Sequence, residues 1–259
     1  MLDRFEKGYN IKMKILALDS SSKNASVSIL EDYNILTELN NDDEKTHSQK
    51  LMPMISDAFL QSNLTLDDID LICCGLGPGS FTGVRIGIAT AKAFVDSKNI
   101  PTVGISSLEA LAYNLNTDGI ICSLIDAKNG NVYAGIFEIE KTDNYFKTVK
   151  NNMDFISLKN DKGDFSSKSI EYFINDFKIS DKYSTITFVG DGSTLYKELL
   201  EKLNLKYKIV IENETVLSSI TIAKIGYTKY NNGEFGDSSI LSPIYLRKSQ
   251  AEIALENKK

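Results

Sequence analysis

Hydrophobic and polar positions alternate along this chain in blocks that each predict an element. Ile15 to Asp19 is an apolar run of strand length, Ser20 to Asn24 is turn-like, and Ala25 to Leu30 alternates, so the three read as a β-hairpin. A third strand is expected near Ile35 to Leu39. Thr46-His47-Ser48-Gln49 has the form of a capping box that opens a helix carrying Leu51, Met54, Ile55, Ala58 and Phe59, with Pro53 expected to kink it. The strand Ile69 to Cys74, the loop Gly75 to Gly83 and a helix from Val84 to about Ser97 follow, giving βββαβα for the first half.

The second half repeats the first. Leu124-Ile125-Asp126 enters a turn containing Asn129-Gly130, a strong hairpin signal, and leaves through Val132 to Ile139. Asp19, Asn24, Ile29 and Glu31 are followed 107 positions later by Asp126, Asn131, Ile136 and Glu138. Thr185 to Val189 then runs into Gly190-Asp191-Gly192-Ser193, as Cys74 ran into Gly77-Pro78-Gly79-Ser80. A repeat of two points to duplicated α/β lobes facing each other across a cleft, because a solenoid needs at least about three units. The expected division is a tail over 1–12, a first lobe over 13–112 and a second over 113–259, whose C-terminal segment could return to the first lobe. Residues 140–184, rich in Asn, Lys, Asp and Ser, read as a surface insertion with one helix near Ile170 to Phe177.

Composition narrows the chemistry. The chain has 259 residues, 42% hydrophobic and 25% charged, with a net charge of −6, so no overall positive field gathers a phosphate backbone. Direct RNA binding by this chain alone is disfavoured. Cys73, Cys74 and Cys122 lie inside apolar runs and read as core thiols of a reducing compartment. His47 is the only histidine, and no Cys, Asp or Glu stands at zinc-ligand spacing to it, which excludes a histidine-based metalloenzyme. No apolar stretch approaches the roughly 20 residues that span a bilayer, so a cytoplasmic protein that does not enter a membrane is expected.

Three features could bind something. Gly77, Gly79 and Ser80 lie where a strand gives way to a helix, the usual place for a phosphate, although neither a Walker loop nor GxGxxG is present; a tight βα connection is the plainer reading. Gly190 and Gly192 form the second such loop. Asp19 and Asp126 could hold a hydrated magnesium ion between the lobes, or each aspartate could cap the turn it begins; Ser20 and Ser21 in the first turn join the same possible nucleotide cleft. Finally, the helix with Leu51, Met54 and Ile55 has an apolar arc wider than one core contact needs. The helix from Val84, with Ile88 and Val95, is apolar nearly all round apart from a strip of Arg85, Lys92 and Asp96. Both helices are expected to pack on their own sheet and on a partner, with His47, Leu51, Met54, Ile55, Arg85, Ile88, Lys92 and Val95 at that interface.

The runs Ile15-Leu16-Ala17-Leu18-Asp19-Ser20-Ser21, His47-Ser48-Gln49-Lys50-Leu51-Met52-Pro53 and Gly75-Leu76-Gly77-Pro78-Gly79-Ser80-Phe81-Thr82-Gly83-Val84-Arg85 resemble the TsaB (YeaZ) family. So do Asp126-Ala127-Lys128-Asn129-Gly130-Asn131-Val132-Tyr133 and Pro243-Ile244-Tyr245-Leu246-Arg247. The resemblance implies an α/β duplicated actin/Hsp70-like (ribonuclease H-like) fold. It also implies a supporting subunit of a TsaD-type catalytic protein that works with a TsaE-type ATPase to place threonylcarbamoyl on the tRNA adenosine beside the anticodon, meeting tRNA only through that complex. In the catalytic relative two metal-binding histidines follow the glycine-loop helix. Here Ser107 and Leu111 stand at the matching positions and cannot replace imidazole. Ser106 and Glu109 form a plausible capping box instead. No catalytic residue, no metal and no tightly bound cofactor are expected, only weak ATP or ADP in the cleft, and an isolated chain is expected to dimerise through the partner surface. The alternative on the same fold is a small-molecule kinase using Asp19, Asp126 and the glycine loops.

Overall fold

The computed structural model describes residues 12–41, 47–142, 145–160, 162–212 and 216–247. In the first lobe β1 (Lys14–Asp19), β2 (Ala25–Glu31) and β3 (Asn34–Asn41) form an antiparallel meander. The helix α1 (His47–Ser62), β4 (Leu71–Gly75), α2 (Phe81–Lys98), β5 (Thr102–Ile105) and α3 (Ser107–Tyr113) follow. The sheet order is β3-β2-β1-β4-β5, with β1, β4 and β5 parallel.

The second lobe repeats this plan with β6 (Gly119–Asp126), β7 (Asn131–Lys141), β8 (Phe146–Ser157), α4 (Lys168–Asp176) and β9 (Thr185–Val189). It closes with α5 (Asp191–Leu195), α6 (Lys197–Leu200), β10 (Lys208–Ile211) and α7 (Ser219–Asn231). Its order, β10-β9-β6-β7-β8, is the first sheet read from the other edge. This is the duplicated actin/Hsp70-like fold. The stretch expected to be an insertion contains β8, which pairs with β7 along nearly its whole length and is the counterpart of β3. Its polar Asn151, Asn152 and Asp154 belong to an edge strand, where half of the pairing groups and much of one face meet water.

The core has three parts. Leu16, Leu18, Val27, Ile29 and Cys74 meet α1 and α2 on one face of the first sheet. Ile120, Cys122, Leu124, Ala134 and Ile136 meet α4 on one face of the second. Between the sheets lies a shared layer in which Ile15, Ala17 and Cys73 approach Ile121, Phe137 and Val189 through residues of α3 and α7. The last helix of each lobe crosses over: α3 packs on β6 and β7, and α7 packs on β1, β2, β4 and β5. Adjacent Cys73 and Cys74 thus enter different cores, as strand alternation requires, and both are free and fully buried, as is Cys122. Burial pushes all three thiols well above their ordinary range.

The C-terminal segment lies on the first lobe. Gly236 bridges to Thr102 beside β5, Leu241 is 1% exposed in the first core, and the Ile244 amide donates to the Leu76 carbonyl at 2.9 Å. Among the described residues no helix is long and apolar enough to cross a membrane.

Candidate functional site

The two hairpin turns and the two glycine loops converge on a cleft of about 440 Å³ between the lobes. Ser21 to Asn24, Pro78, Gly79 and Ser80 line it from one side; Ile125 to Lys128, Tyr133 and Asp191 line it from the other. Leu111, Val216 and Leu217 supply apolar lining. Of the residues expected at a cleft, Ser21, Gly79, Ser80 and Asp126 line it, whereas Asp19, Ser20, Gly77, Gly190 and Gly192 do not.

The first wall is bonded to itself. The Ser80 amide donates to the Ser21 carbonyl at 2.6 Å, and the Ser20 hydroxyl donates to the Gly83 carbonyl at 2.7 Å. Ser80 also caps α2, its hydroxyl accepting from the Gly83 amide at 3.3 Å, so the helix begins at Phe81, three residues before the expected Val84. Gly79 is required here, because a Cβ would stand 2.2 Å from the Ser21 carbonyl oxygen. Asp19 is 1% exposed and accepts from the Ser21 amide at 3.0 Å and the Ser21 hydroxyl at 3.1 Å, with the Ser22 amide adding to these. Its other oxygen, Oδ1, has no partner among the described residues. Burial raises its pKa from 3.8 to about 6, and the hydrogen bonds from Ser21 and Ser22 oppose but do not cancel that cost. The Ser21 and Ser22 amides, which would have to face a phosphate, are thus already held by Asp19, and the Ser80 amide of the glycine loop is held by the Ser21 carbonyl.

The second wall is closed in the same way. Asp126 accepts from the Lys128 amide at 3.0 Å and from the Lys128 ammonium at 2.6 Å, while its own amide donates to Asp191 at 3.0 Å. Gly190 has a φ of +96°, and a Cβ there would lie 2.3 Å from the Leu124 carbonyl oxygen. Both aspartates behave as turn caps. They are not structural equivalents either. Asp19 pairs with Ser26 and points toward the central layer, where the matching second-lobe pair is Ile125 with Tyr133. The repeat runs at 107 for β2 and β7 but at 106 for β1 and β6, because the second turn is one residue longer. The donor sets of the two walls do not fit a magnesium ion shared by Asp19 and Asp126.

Ser107 and Leu111 stand one turn apart on α3, both buried. Leu111 lines the cleft, and the Ser107 hydroxyl is hydrogen-bonded to that of Ser21 at 2.8 Å. A hydroxyl and an isobutyl group give a metal nothing to bind at this place. Ser106 caps α3 by accepting from the Leu108 amide, but Glu109 does not complete the box. It reaches Lys229 of α7 at 2.7 Å and Thr148 at 2.9 Å, tying the two crossing helices together.

The partner helices need a correction of face. Leu51, Met54, Ile55, Ile88 and Val95 are 1%, 7%, 2%, 5% and 2% exposed, because they form the core beneath the first sheet. Solvent instead meets Met52, Pro53, Ser56 and Leu60 on α1, and Arg85, Ala89, Ala93 and Asp96 on α2, with Lys92 half-buried. His47 begins α1 but its side chain lies outside the described residues, as does all of Thr46. Arg85, expected at the interface, is held by two aromatic residues that sequence reasoning did not join to it. Arg85 lies 3.8 Å over the Phe81 ring and donates from Nε to the Tyr245 hydroxyl at 2.8 Å. Two of the motifs thereby meet in space through the exposed rings of Phe81 and Tyr245.

A family model described as TsaD: tRNA N6-adenosine threonylcarbamoyltransferase matches residues 37–255. The protein named tRNA threonylcarbamoyladenosine biosynthesis protein TsaB of Bacillus subtilis (strain 168) is 29% identical over 242 residues, which is 93% of this chain and 96% of that protein. The chain belongs to the TsaD family, in its TsaB (YeaZ) group. The TsaB of Haemophilus influenzae is 29% identical, over 91% of this chain and 94% of its own length. That of Escherichia coli (strain K12) is 36% identical over 126 residues, 47% of this chain and 53% of its own. Among solved structures, YeaZ from Pseudomonas aeruginosa superposes with a TM-score of 0.70 at 20% identity, covering 90% of this chain and 100% of its own. The last comparison speaks for the fold. The names of the family model and of these TsaB relatives tie the chain to tRNA threonylcarbamoyladenosine biosynthesis.

Proposed function

We propose that this chain is the non-catalytic supporting subunit of a TsaD-type catalytic protein. Together with a TsaE-type ATPase, that pair would transfer threonylcarbamoyl to the tRNA adenosine beside the anticodon. The observation that carries this reading is the pair Ser107 and Leu111. They occupy the α3 positions where the family resemblance puts the metal histidines of the catalytic protein, and Ser107 is consumed by its bond to Ser21. A duplicated fold retained without those ligands fits a shape rather than a reaction. The outward faces of α1 and α2, with Met52, Leu60, Ala89 and Ala93, supply the contact surface, and the −6 charge fits a chain that reaches tRNA through its partner. The same surface would pair two copies of the isolated chain. A cytoplasmic location goes with tRNA as the eventual substrate.

Mixing the purified chain with a TsaD-type protein and measuring mass by light scattering tests this. A defined complex supports it, and two species that elute and scatter independently at micromolar concentration remove it.

The kinase reading has one observation in its favour, the buried Asp19 carboxyl beside a glycine loop at an interlobe cleft. Calorimetric titration with magnesium-ATP decides. Heat of binding that disappears in Asp19→Ala would favour the kinase; no heat in either protein leaves the cleft with a packing role.

A further inference from the structure

Two contacts fix the guanidinium of Arg85. The Phe81 ring lies 3.8 Å beneath it, and the Tyr245 hydroxyl accepts from its Nε at 2.8 Å, while the two rings stack at 5.5 Å between centroids. Phe81 is 46% and Tyr245 49% exposed, so this clamp stands on the surface and not in the core. No carboxylate among the described residues lies within ion-pair distance of Arg85, and its terminal Nη groups have no hydrogen-bond acceptor there. An arginine whose stem is immobilised while its fork remains open has already lost the freedom that binding would otherwise cost it. Clusters of arginine with aromatic residues are also the groups in which interface energy concentrates.

Its place on α2 says what it faces. Arg85, Ala89, Ala93 and Asp96 recur along one exposed stripe. The small alanines let another backbone approach closely, and the two charged ends are about 16 Å apart at 1.5 Å per residue. A nucleic-acid backbone fits poorly, because Asp96 would repel it at one end and the chain carries −6 overall. A protein helix fits both ends when it carries an acidic residue opposite Arg85 and a neutral or basic one opposite Asp96.

We infer that Arg85, clamped by Phe81 and Tyr245, is the anchor for an aspartate or glutamate carboxylate on the TsaD-type partner, taken in a bidentate pair. The inference rests on the supporting-subunit reading and adds to it the chemistry of the contact. Affinity for the purified TsaD-type protein is measured for the wild type and for Arg85→Ala, Arg85→Lys, Arg85→Glu and Tyr245→Phe, at low and high salt. A thermal melt of each checks folding, which an exposed residue should leave intact. The Arg85→Ala affinity is expected to fall by roughly 10- to 100-fold, as for a lost hydrogen-bonded charge pair. Arg85→Lys, which keeps the charge but loses the planar fork, should also weaken binding, and the salt dependence should lessen in Arg85→Ala. Wild-type binding with Arg85→Ala and Arg85→Glu unchanged overturns the inference and leaves the supporting-subunit reading standing. Wild-type protein that does not bind at all removes both. Loss of tRNA affinity, or of self-association alone, in Arg85→Glu with partner affinity intact would assign the clamp to a different contact and overturn the inference as well.

Discussion

Replacing Asp19 by asparagine should flatten the pH dependence of stability between pH 4 and pH 7. The carboxyl is buried at 1% exposure with one oxygen unpartnered among the described residues, and its pKa is raised from 3.8 to about 6. Between those two values the folded chain holds a proton that the unfolded chain has released, so stability declines as pH rises. The contribution is fully present below about pH 4 and is lost as pH passes 6. A displacement of about two units corresponds to about 3 kcal/mol. The Asp19→Asn side chain keeps an oxygen for the Ser21 and Ser22 amides and never ionises. Urea unfolding of both proteins at pH 4, 5, 6 and 7 gives the difference directly: near pH 4 they should lie close together, and by pH 7 the variant should have gained about 3 kcal/mol relative to wild type. Effects of every other titrating group cancel in that comparison. A difference that stays within about 0.5 kcal/mol from pH 4 to pH 7 refutes the reasoning, and would mean that Asp19 is solvated or partnered in the folded chain.

Gly79→Ala should cost about 2 kcal/mol or more in urea unfolding, because the new Cβ meets the Ser21 carbonyl at 2.2 Å and both are backbone-fixed. Glu109→Ala should cost about 2 kcal/mol, less than a fully buried pair because the Lys229 side chain is 26% exposed, and the Glu109→Ala/Lys229→Ala double variant should recover part of it. Ile88→Glu should fail to fold, as judged by circular dichroism, since Ile88 is 5% exposed in the core; Ala93→Glu should fold normally yet weaken self-association by about tenfold or more in sedimentation or light scattering.

Elements with a strong local period were legible in the sequence. The β1–β2 and β6–β7 hairpins announced themselves through alternation and, in the second, through Asn129-Gly130. The four-residue strands β5 and β10 did not, because Thr102 to Ile105 and Lys208 to Ile211 are too short to show a period. The polar edge strand β8 was hidden in a stretch that composition alone labels a loop. The start of α2 was missed because Gly83 reads as part of a loop, while the decisive signal was Ser80 as a cap. The crossing of α3 and α7 onto the opposite sheets is a long-range event that no local pattern encodes.

At the site, residue identity was easier to read than residue orientation. Asp19, Gly79, Asp126 and Gly190 do meet around the cleft or its supporting shell, yet which amides they would leave free depended on hydrogen bonds between segments distant in sequence, such as Ser80 to Ser21. A helical wheel showed that α1 and α2 carry wide apolar arcs. It could not say that Leu51 and Ile88 lie on the sheet side while Met52 and Ala89 lie outward, because both sides are apolar.

The central claim is that this chain supports a reaction it does not perform. Threonylcarbamoyl transfer to tRNA, measured in a system of a TsaD-type protein and a TsaE-type ATPase, with and without this chain, tests it most directly. Activity that depends on adding this chain, survives Ser107→Ala and Asp19→Asn in it, and is absent when it replaces the TsaD-type protein is the predicted result. Equal activity without it, or transfer by this chain in the absence of the TsaD-type protein, would contradict the account.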